Sequence, residues 1–486
     1  MSYRIESIDL WIRETPPDRM SFVIGRPAAG AAQGTPTPRR PRGIVIVRAM
    51  VSDQSGRQSW GVSGDRPSFG WLDKRTRYTP EQSLSRLLGL VVSARDVYLR
   101  QVEFETPFAH VVRCEPEIRR IGRESDHVGL SVTYASALLE RALVDAVCRL
   151  EGRTVFEAVR DQQLGLQPEL VLPQLAGCAP RDWLPLSPRT LFSIRHTVGI
   201  TDPLRRADLP ESQRRNDGEP ETLEEYIHRD GLRYFKVKVS GNPDADLARL
   251  ARLWELLLEI ADPVVTLDAN ESFPTLGDFE LFVDRLEREQ LGLFQHTEFI
   301  EQPLSRELTL DPATSGAVRR LAARKPLVID EADGEWDACA RALQIGYSGA
   351  SHKNCKGFFK SLINRTLMHH EAQRTGRSLL QTGEDLGTMP LVAVQQDFAA
   401  LGILDINHCE RNGHHYGFGL SHLTPGEKAQ ARAHHPDLYV ERGGETFLNI
   451  QNGQVTCKTL QVPGMGVAFE PDWTALIPLT KWTPQW

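Results

Sequence analysis

The feature that most constrains this chain is a rhythm that begins near Leu191. Short apolar runs recur: "LFSIRHTVGI", "RYFKVKV", "PVVTLD", "TEFIE", "PLVID", "GASHK", "SLLQT" and "GILDINH". Amphipathic helical stretches separate them, with apolar residues at three- and four-residue steps, as at Leu247, Leu250, Trp254 and Leu257. Such alternation implies βα units and a parallel sheet. Eight runs fit an α/β fold of the (β/α)8 barrel type, which typically takes about 250 residues. A doubly wound sheet would use fewer repeats and usually a Gly-rich first turn. No GxGxxG is present.

The flanks read differently. Residues 1–188 form an expected N-terminal α+β capping domain. "RIESIDLWI" alternates at period two, and "GIVIVRAMVSDQSGRQSWGV" reads as a hairpin turning at Asp53 to Gly56. Two helical patterns follow, "TPEQSLSRLLGLVVSARDVYL" and "SALLERALVDAVCRLEGRTVFEAV". The stretch 14–42 is long, rich in Pro, Gly and Ala, and aperiodic, so it reads as a loop: a lid or a disordered insertion. The barrel with its active site is placed at 189–423. The segment 424–486, short strands and turns, is expected to return to the capping domain.

Composition removes several functions. The formal charge of −7 is spread over mixed signs, so no basic field suits nucleic acid. No run of about 18 apolar residues suggests a membrane span, and the N-terminus lacks a signal-peptide core. The seven cysteines are scattered without a CxxC pair, which points to a reducing, cytoplasmic setting.

Strands of a parallel barrel are buried on both faces, so charges on them need a reason. Here they fall at the C-terminal ends: Asp268 closes "PVVTLD", Glu301 closes "TEFIE" and Asp330 closes "PLVID". Barrel active sites sit at that end. Each piece alone has a bland explanation: "DAN" as an Asx turn, "EQP" as a helix start, "IDE" as a surface pair. Together, three carboxylates on successive strands would repel one another across one mouth, and a hard divalent cation resolves this. Few, oxygen-only ligands suit Mg²⁺.

Lys236 and Lys238 alternate with Phe235, Val237 and Val239, so both lysines should point into the barrel. Mutual repulsion, with a nearby Mg²⁺, would lower an ammonium pKa towards the range of a base. Lys353 ends "GASHK" on a later strand and would approach from the opposite side. Lys356, three residues on, competes for that role.

These residues resemble the enolase superfamily, in particular its mandelate racemase and muconate lactonizing branches. The matching elements are "KVK", "DAN", "EQP", "DE" and Lys353, in family order. "VPGMGVAF" is similar to the family's C-terminal PGLG segment. The resemblance implies an enolase-like modified barrel and an isomerase or lyase that removes a proton α to a carboxylate. It implies Mg²⁺ on Asp268, Glu301 and Asp330, Lys238 and Lys353 as bases, and Lys236 holding the substrate carboxylate or the enolate. Glu331 would support Lys353, and Asn270 would lie behind the ligands or against the substrate. It further implies a small-molecule carboxylate substrate and a homo-oligomer.

Two departures stand out. No histidine accompanies "SLLQTGEDLGTMP", so the Asp–His dyad of mandelate racemase is missing and the lysine–lysine branch fits better. That branch contains cycloisomerases, o-succinylbenzoate synthases, dipeptide epimerases and some racemases. The string "DINHCERNGHHYG" offers His408 and Glu410 for substrate contact, and structural roles for His414 and His415. The ranked outcomes are racemase/epimerase or cycloisomerase first, acid-sugar dehydratase second. A catalytically silent binding barrel is the reading from another class.

Overall fold

The computed structural model describes residues 2–20, 41–413 and 417–486. Most of the expected loop 14–42, and His414 and His415, lie outside the described residues. Strand β1 (Tyr3–Glu14) pairs antiparallel along its length with β2 (Gly43–Asp53), and β2 with β3 (Gln58–Asp65). Asp53 closes the hairpin by accepting the backbone N–H groups of Ser55 and Arg57. The short β4 (Glu103–Phe104) adds to β1.

Helices cover one face of this sheet. Pro80–Leu99 opens on a reciprocal cap between Thr79 and Gln82 with Pro in its first turn. Pro107–Glu124 is not among the sequence expectations; it carries Pro116 in its interior. Gly129–Leu150 buries almost every side chain. A Cβ on Gly61 would lie 2.1 Å from the Ala142 carbonyl oxygen, so only glycine lets β3 lie flat on this helix. The same helix reaches the barrel: Glu140 accepts the Phe359 N–H at 2.7 Å.

Eight parallel strands form a closed barrel: β5 (Leu191–Val198), β6 (Tyr234–Lys238), β7 (Val264–Asp268), β8 (Thr297–Glu301), β9 (Leu327–Ile329), β10 (Gly349–His352), β11 (Leu380–Gly383) and β12 (His408–Arg411). Register pairs from His408↔Ser193 to Arg411↔His196 close β12 onto β5. Seven strands fall on the expected runs. The eighth does not: "GILDINH" mostly ends a helix and its turn, and the strand is "HCER". Its charged residues hide it from any apolar criterion, and each is paired inside the protein.

Beyond the barrel, β13 (Tyr439–Arg442) and β14 (Glu445–Leu448) form a hairpin. β15 (Gln454–Thr456) lies antiparallel on β5, and β16 (Ile477–Pro478) joins β1 of the first sheet. All seven cysteines are unpaired. Among the described residues, no helix is long and apolar enough to cross a membrane.

Candidate active site

The strand period of two sorts the side chains. On β6, Phe235 and Val237 are buried among the hydrophobic core residues, while Lys236 and Lys238 reach charged partners from other strands. Lys238, Asp268 and Glu301 end β6, β7 and β8; Asp330 and Lys353 come one residue after β9 and β10. All sit at the C-terminal mouth. Strands β6 and β10 are four places apart in a ring of eight, so Lys238 and Lys353 rise from opposite walls.

The ion pairs are close. Lys238 Nζ is 2.5 Å from Asp268 Oδ2, and Lys353 Nζ is 2.6 Å from Asp330 Oδ2. Lys356, from the turn after β10, lies 3.2 Å from Asp330 Oδ1 and donates to Ser351 Oγ at 2.7 Å. Lys236 is the hub. Its ammonium contacts Asp268 at 2.9 Å, Glu301 at 2.8 Å, Glu384 at 2.6 Å and Glu410 at 2.9 Å. Glu301 has that one ammonium near it, but no donor is aligned for a hydrogen bond on either of its buried oxygens.

The charge states correct one expectation. Burial works against the Lys236 ammonium, but Asp268, Glu301, Glu384 and Glu410 outweigh it and raise its pKa well above the usual value. Lys353 is likewise raised, burial being overcome chiefly by Asp330. Repulsion between neighbouring lysines does not dominate at Lys236 or Lys353, because the carboxylates around each outweigh it. Burial opposes ionisation of Asp330, yet Lys353 and Lys356 hold its pKa well below the ordinary range. Glu301 goes the other way: burial, then Asp268 and Glu384, push its pKa well above the carboxylate range.

Backbone geometry supports the mouth. Asn270, Glu271 and Gln302 take positive φ angles of 43°, 67° and 37°. Left-handed backbone at non-glycine residues costs on the order of 1–3 kcal/mol each and collects at functional turns. It turns the chain sharply after β7 and β8. The Gln302 side chain then accepts the N–H groups of Asp330 and Ala332, at 2.8 and 3.1 Å, and so fixes the neighbouring strand end.

Glu331 does not pair with Lys353 as expected. It accepts Asn270 Nδ2 at 3.0 Å and Lys74 Nζ at 2.9 Å, Lys74 coming from the capping domain. Lys353 is held by Asp330 and by the face of Trp71, 4.1 Å from the ring centroid. The capping domain therefore covers the mouth on the β9–β10 side.

The remaining wall contains Arg195, which sequence reasoning missed, and Glu410, which it named for substrate contact. Arg195 on β5 is fully buried; it pairs with Glu384, donates to the Gly383 carbonyl at 2.9 Å and meets His408 Nδ1 at 3.2 Å. Glu410 accepts Thr197 Oγ1 at 2.6 Å and the Asp385 N–H at 2.9 Å. The signal available was a charge inside an apolar run, at Arg195 in "LFSIRHTVGI". His408 is a correction. It starts β12 at the other end of the barrel, 2.9 Å from Glu298 and stacked on Tyr234, and does not face the mouth.

The donor chemistry suits a hard cation: three carboxylates on adjacent strand ends, with Glu301 lacking an aligned donor. The side chains are nevertheless engaged by lysines, and among the described residues no three acidic, His or Cys groups are gathered as a metal-holding cluster.

No protein-family model matches the chain, and no curated protein matches it in sequence. Solved structures do. A muconate lactonizing enzyme from Klebsiella pneumoniae matches with TM-score 0.56 at 17% identity, over 97% of this chain and 98% of that one. The fold is that of the enolase superfamily. An enolase from Bradyrhizobium complexed with magnesium and mandelic acid matches with TM-score 0.56 at 16% identity, over 98% of both chains. A dipeptide epimerase from Enterococcus faecalis V583 matches with TM-score 0.56 at 12% identity, over 96% and 100%. The enolase-superfamily fold thus spans both the capping domain and the barrel.

Proposed function

We propose that this protein is an enzyme that abstracts a proton α to a carboxylate, with Mg²⁺ bound by Asp268, Glu301 and Asp330. The reading rests on one observation above all: Lys238 and Lys353 stand on opposite walls, with the three carboxylates on the strands between them. A neighbour of the same fold was solved with magnesium and mandelic acid, an α-substituted carboxylate. Bound Mg²⁺ would supply Lewis-acid stabilisation of the substrate carboxylate as it gains charge.

The charge inventory supports this. Asp268, Glu301, Asp330, Glu384 and Glu410 are balanced in number by Arg195, Lys236, Lys238, Lys353 and Lys356. A divalent cation would leave two positive charges in excess. With the lysine that acts as base neutral, that excess is one and matches the substrate carboxylate; when this lysine takes the α-proton the excess becomes two and matches the dianionic enolate, so charge stays balanced as it develops.

Within this frame Lys238 takes the proton from one face of the substrate and Lys353 returns one to the other, or the reverse. Each must be neutral to act as base, so substrate or metal binding has to draw Asp268 and Asp330 away from them. Lys236 lies deeper, fully enclosed by four carboxylates; it anchors charge beneath the site and does not contact substrate directly. Two opposed bases favour racemase/epimerase or cycloisomerase outcomes. Acid-sugar dehydration is the second reading, because an ammonium on the far wall can also protonate a departing hydroxyl. The substrate is a small carboxylic acid.

The test is incubation with Mg²⁺ and a panel of carboxylic acids in D2O. Deuterium entering the α-carbon of one acid, lost when EDTA is added, is the expected result. Metal binding without exchange in any acid would favour the silent binding barrel.

A further inference from the structure

Lys74 belongs to the capping domain, yet its ammonium is spent on the barrel. It donates to the Asn270 carbonyl at 2.7 Å and pairs with Glu331 at 2.9 Å and Glu271 at 2.7 Å. Glu331 is completely buried and Glu271 mostly so. Glu271 comes three residues after Asp268, and Glu331 directly follows Asp330. The Asn270 N–H in turn donates to Asp268 Oδ1 at 2.9 Å, and Asn270 Nδ2 holds Glu331. One lysine therefore joins the turn behind Asp268 to the turn behind Asp330.

The segment that carries Lys74 is itself pinned. Arg306, after β8, donates to the Leu72 and Trp71 carbonyls at 2.7 and 3.0 Å and to Glu271 at 3.2 Å. The chain of contacts closes on itself: Trp71–Leu72, Arg306, Glu271, Lys74. Without Lys74, Glu271 and Glu331 face each other with Arg306 alone on one of them. Like charges buried together repel, and the turn that bears Glu271 is already held in left-handed backbone.

We infer that Lys74 is a positioning residue: by bridging Glu271 and Glu331 it sets the spacing between the Asp268 and Asp330 strand ends across which Mg²⁺ binds. The inference rests on the proposed metal site, and it makes the capping domain a structural part of that site.

Charge and position predict opposite signs, which makes the idea testable. A lysine near a cation site repels the cation, so removing it by charge alone would tighten Mg²⁺ binding. If Lys74 acts by position, Lys74→Met weakens it.

The experiment measures Mg²⁺ binding alone by calorimetry, together with hydrogen exchange at residues 266–273 and 329–335, in the wild type, Lys74→Met, Lys74→Arg and Glu331→Gln. The expected result is about 10-fold weaker Mg²⁺ binding in Lys74→Met, faster exchange confined to those two segments, and recovery to within about 3-fold in Lys74→Arg. Adding Lys74→Met to Glu331→Gln should weaken binding less than it does in the wild type. Unchanged or tighter binding in Lys74→Met overturns the inference, and so does exchange that rises uniformly through the chain. If the wild type binds no Mg²⁺, the proposed function fails, and local exchange in Lys74→Met still decides whether the bridge holds the two turns.

Discussion

The two sides of the barrel mouth use the same residue types for different ends. From β6 to β10, Lys238, Asp268, Glu301, Asp330 and Lys353 line the rim, and Glu301 has no aligned hydrogen-bond donor. From β11 round to β5, Glu384, Glu410, Arg195 and Thr197 are buried and engage one another or Lys236. Glu410 alone accepts from Thr197, the Asp385 N–H and Lys236. Buried charge is thus not in itself a mark of chemistry. What separates the two sides is Glu301: Asp268, Asp330, Glu384 and Glu410 each accept a hydrogen bond from a lysine, whereas Glu301 is left short of a donor and remains available for a ligand.

The contrast can be broken at four points. The largest effect is expected on the rim. Glu301→Gln should weaken Mg²⁺ binding by about 100-fold or more while leaving the metal-free protein as stable as before or slightly more so, since it removes repulsion from Asp268 and Glu384. Calorimetry and urea unfolding in EDTA read both quantities.

The anchoring side should respond in the opposite sense. Arg195→Met leaves Glu384 buried with half its cationic neighbours gone, and removing one partner of a buried pair costs about 3–5 kcal/mol. Urea unfolding reads the loss. A variant as stable as the wild type would erase the distinction between the two walls.

The pH dependence sharpens it further. Glu410 has a depressed folded pKa: burial opposes ionisation, but Lys236 and Lys238 outweigh it. Its stabilisation is present above the unfolded value of about 4.3 and disappears as pH falls through the folded pKa. Glu301 is raised, so in EDTA its contribution turns unfavourable as pH rises above about 4.3. Glu410→Gln should therefore lose most stability near neutral pH, and Glu301→Gln should gain most there. Both differences should shrink in acid, as urea midpoints across pH will register.

The smallest effect is at the cap. Trp71→Leu removes the ring face over the Lys353 ammonium and should cost about 0.5–2 kcal/mol in urea unfolding.

Much of the rim is legible in the sequence because a charge that closes an otherwise apolar parallel strand needs a reason. Asp268, Glu301 and Asp330 broke their apolar runs at equivalent positions, and Lys236 and Lys238 kept the alternation that sends them inward. Glu384 carries no role in the sequence reading, and Glu410 is read there as a substrate contact, because their partners, Arg195 and Thr197, are about two hundred residues away in the chain. The eighth strand was misplaced for the same reason: "HCER" earns its burial through Arg195, Lys236 and Asp397 rather than through apolar side chains. Lys74 lies in an ordinary polar loop, and only the packing of the capping domain onto the barrel gives it partners. Without metal, the Lys236 charge state runs opposite to the sequence reading, since local repulsion is visible in "KVK" and the four carboxylates around Lys236 are not.

The central claim is that Lys238 and Lys353 serve opposite faces of one substrate. Its most direct test takes a chiral acid that the wild type exchanges and follows each enantiomer separately in D2O by proton NMR, with Lys238→Ala and Lys353→Ala. The account predicts that neither variant interconverts the enantiomers, and that each still exchanges one of them, a different one in each variant. Interconversion that survives either substitution, or the same enantiomer exchanging in both, would contradict it.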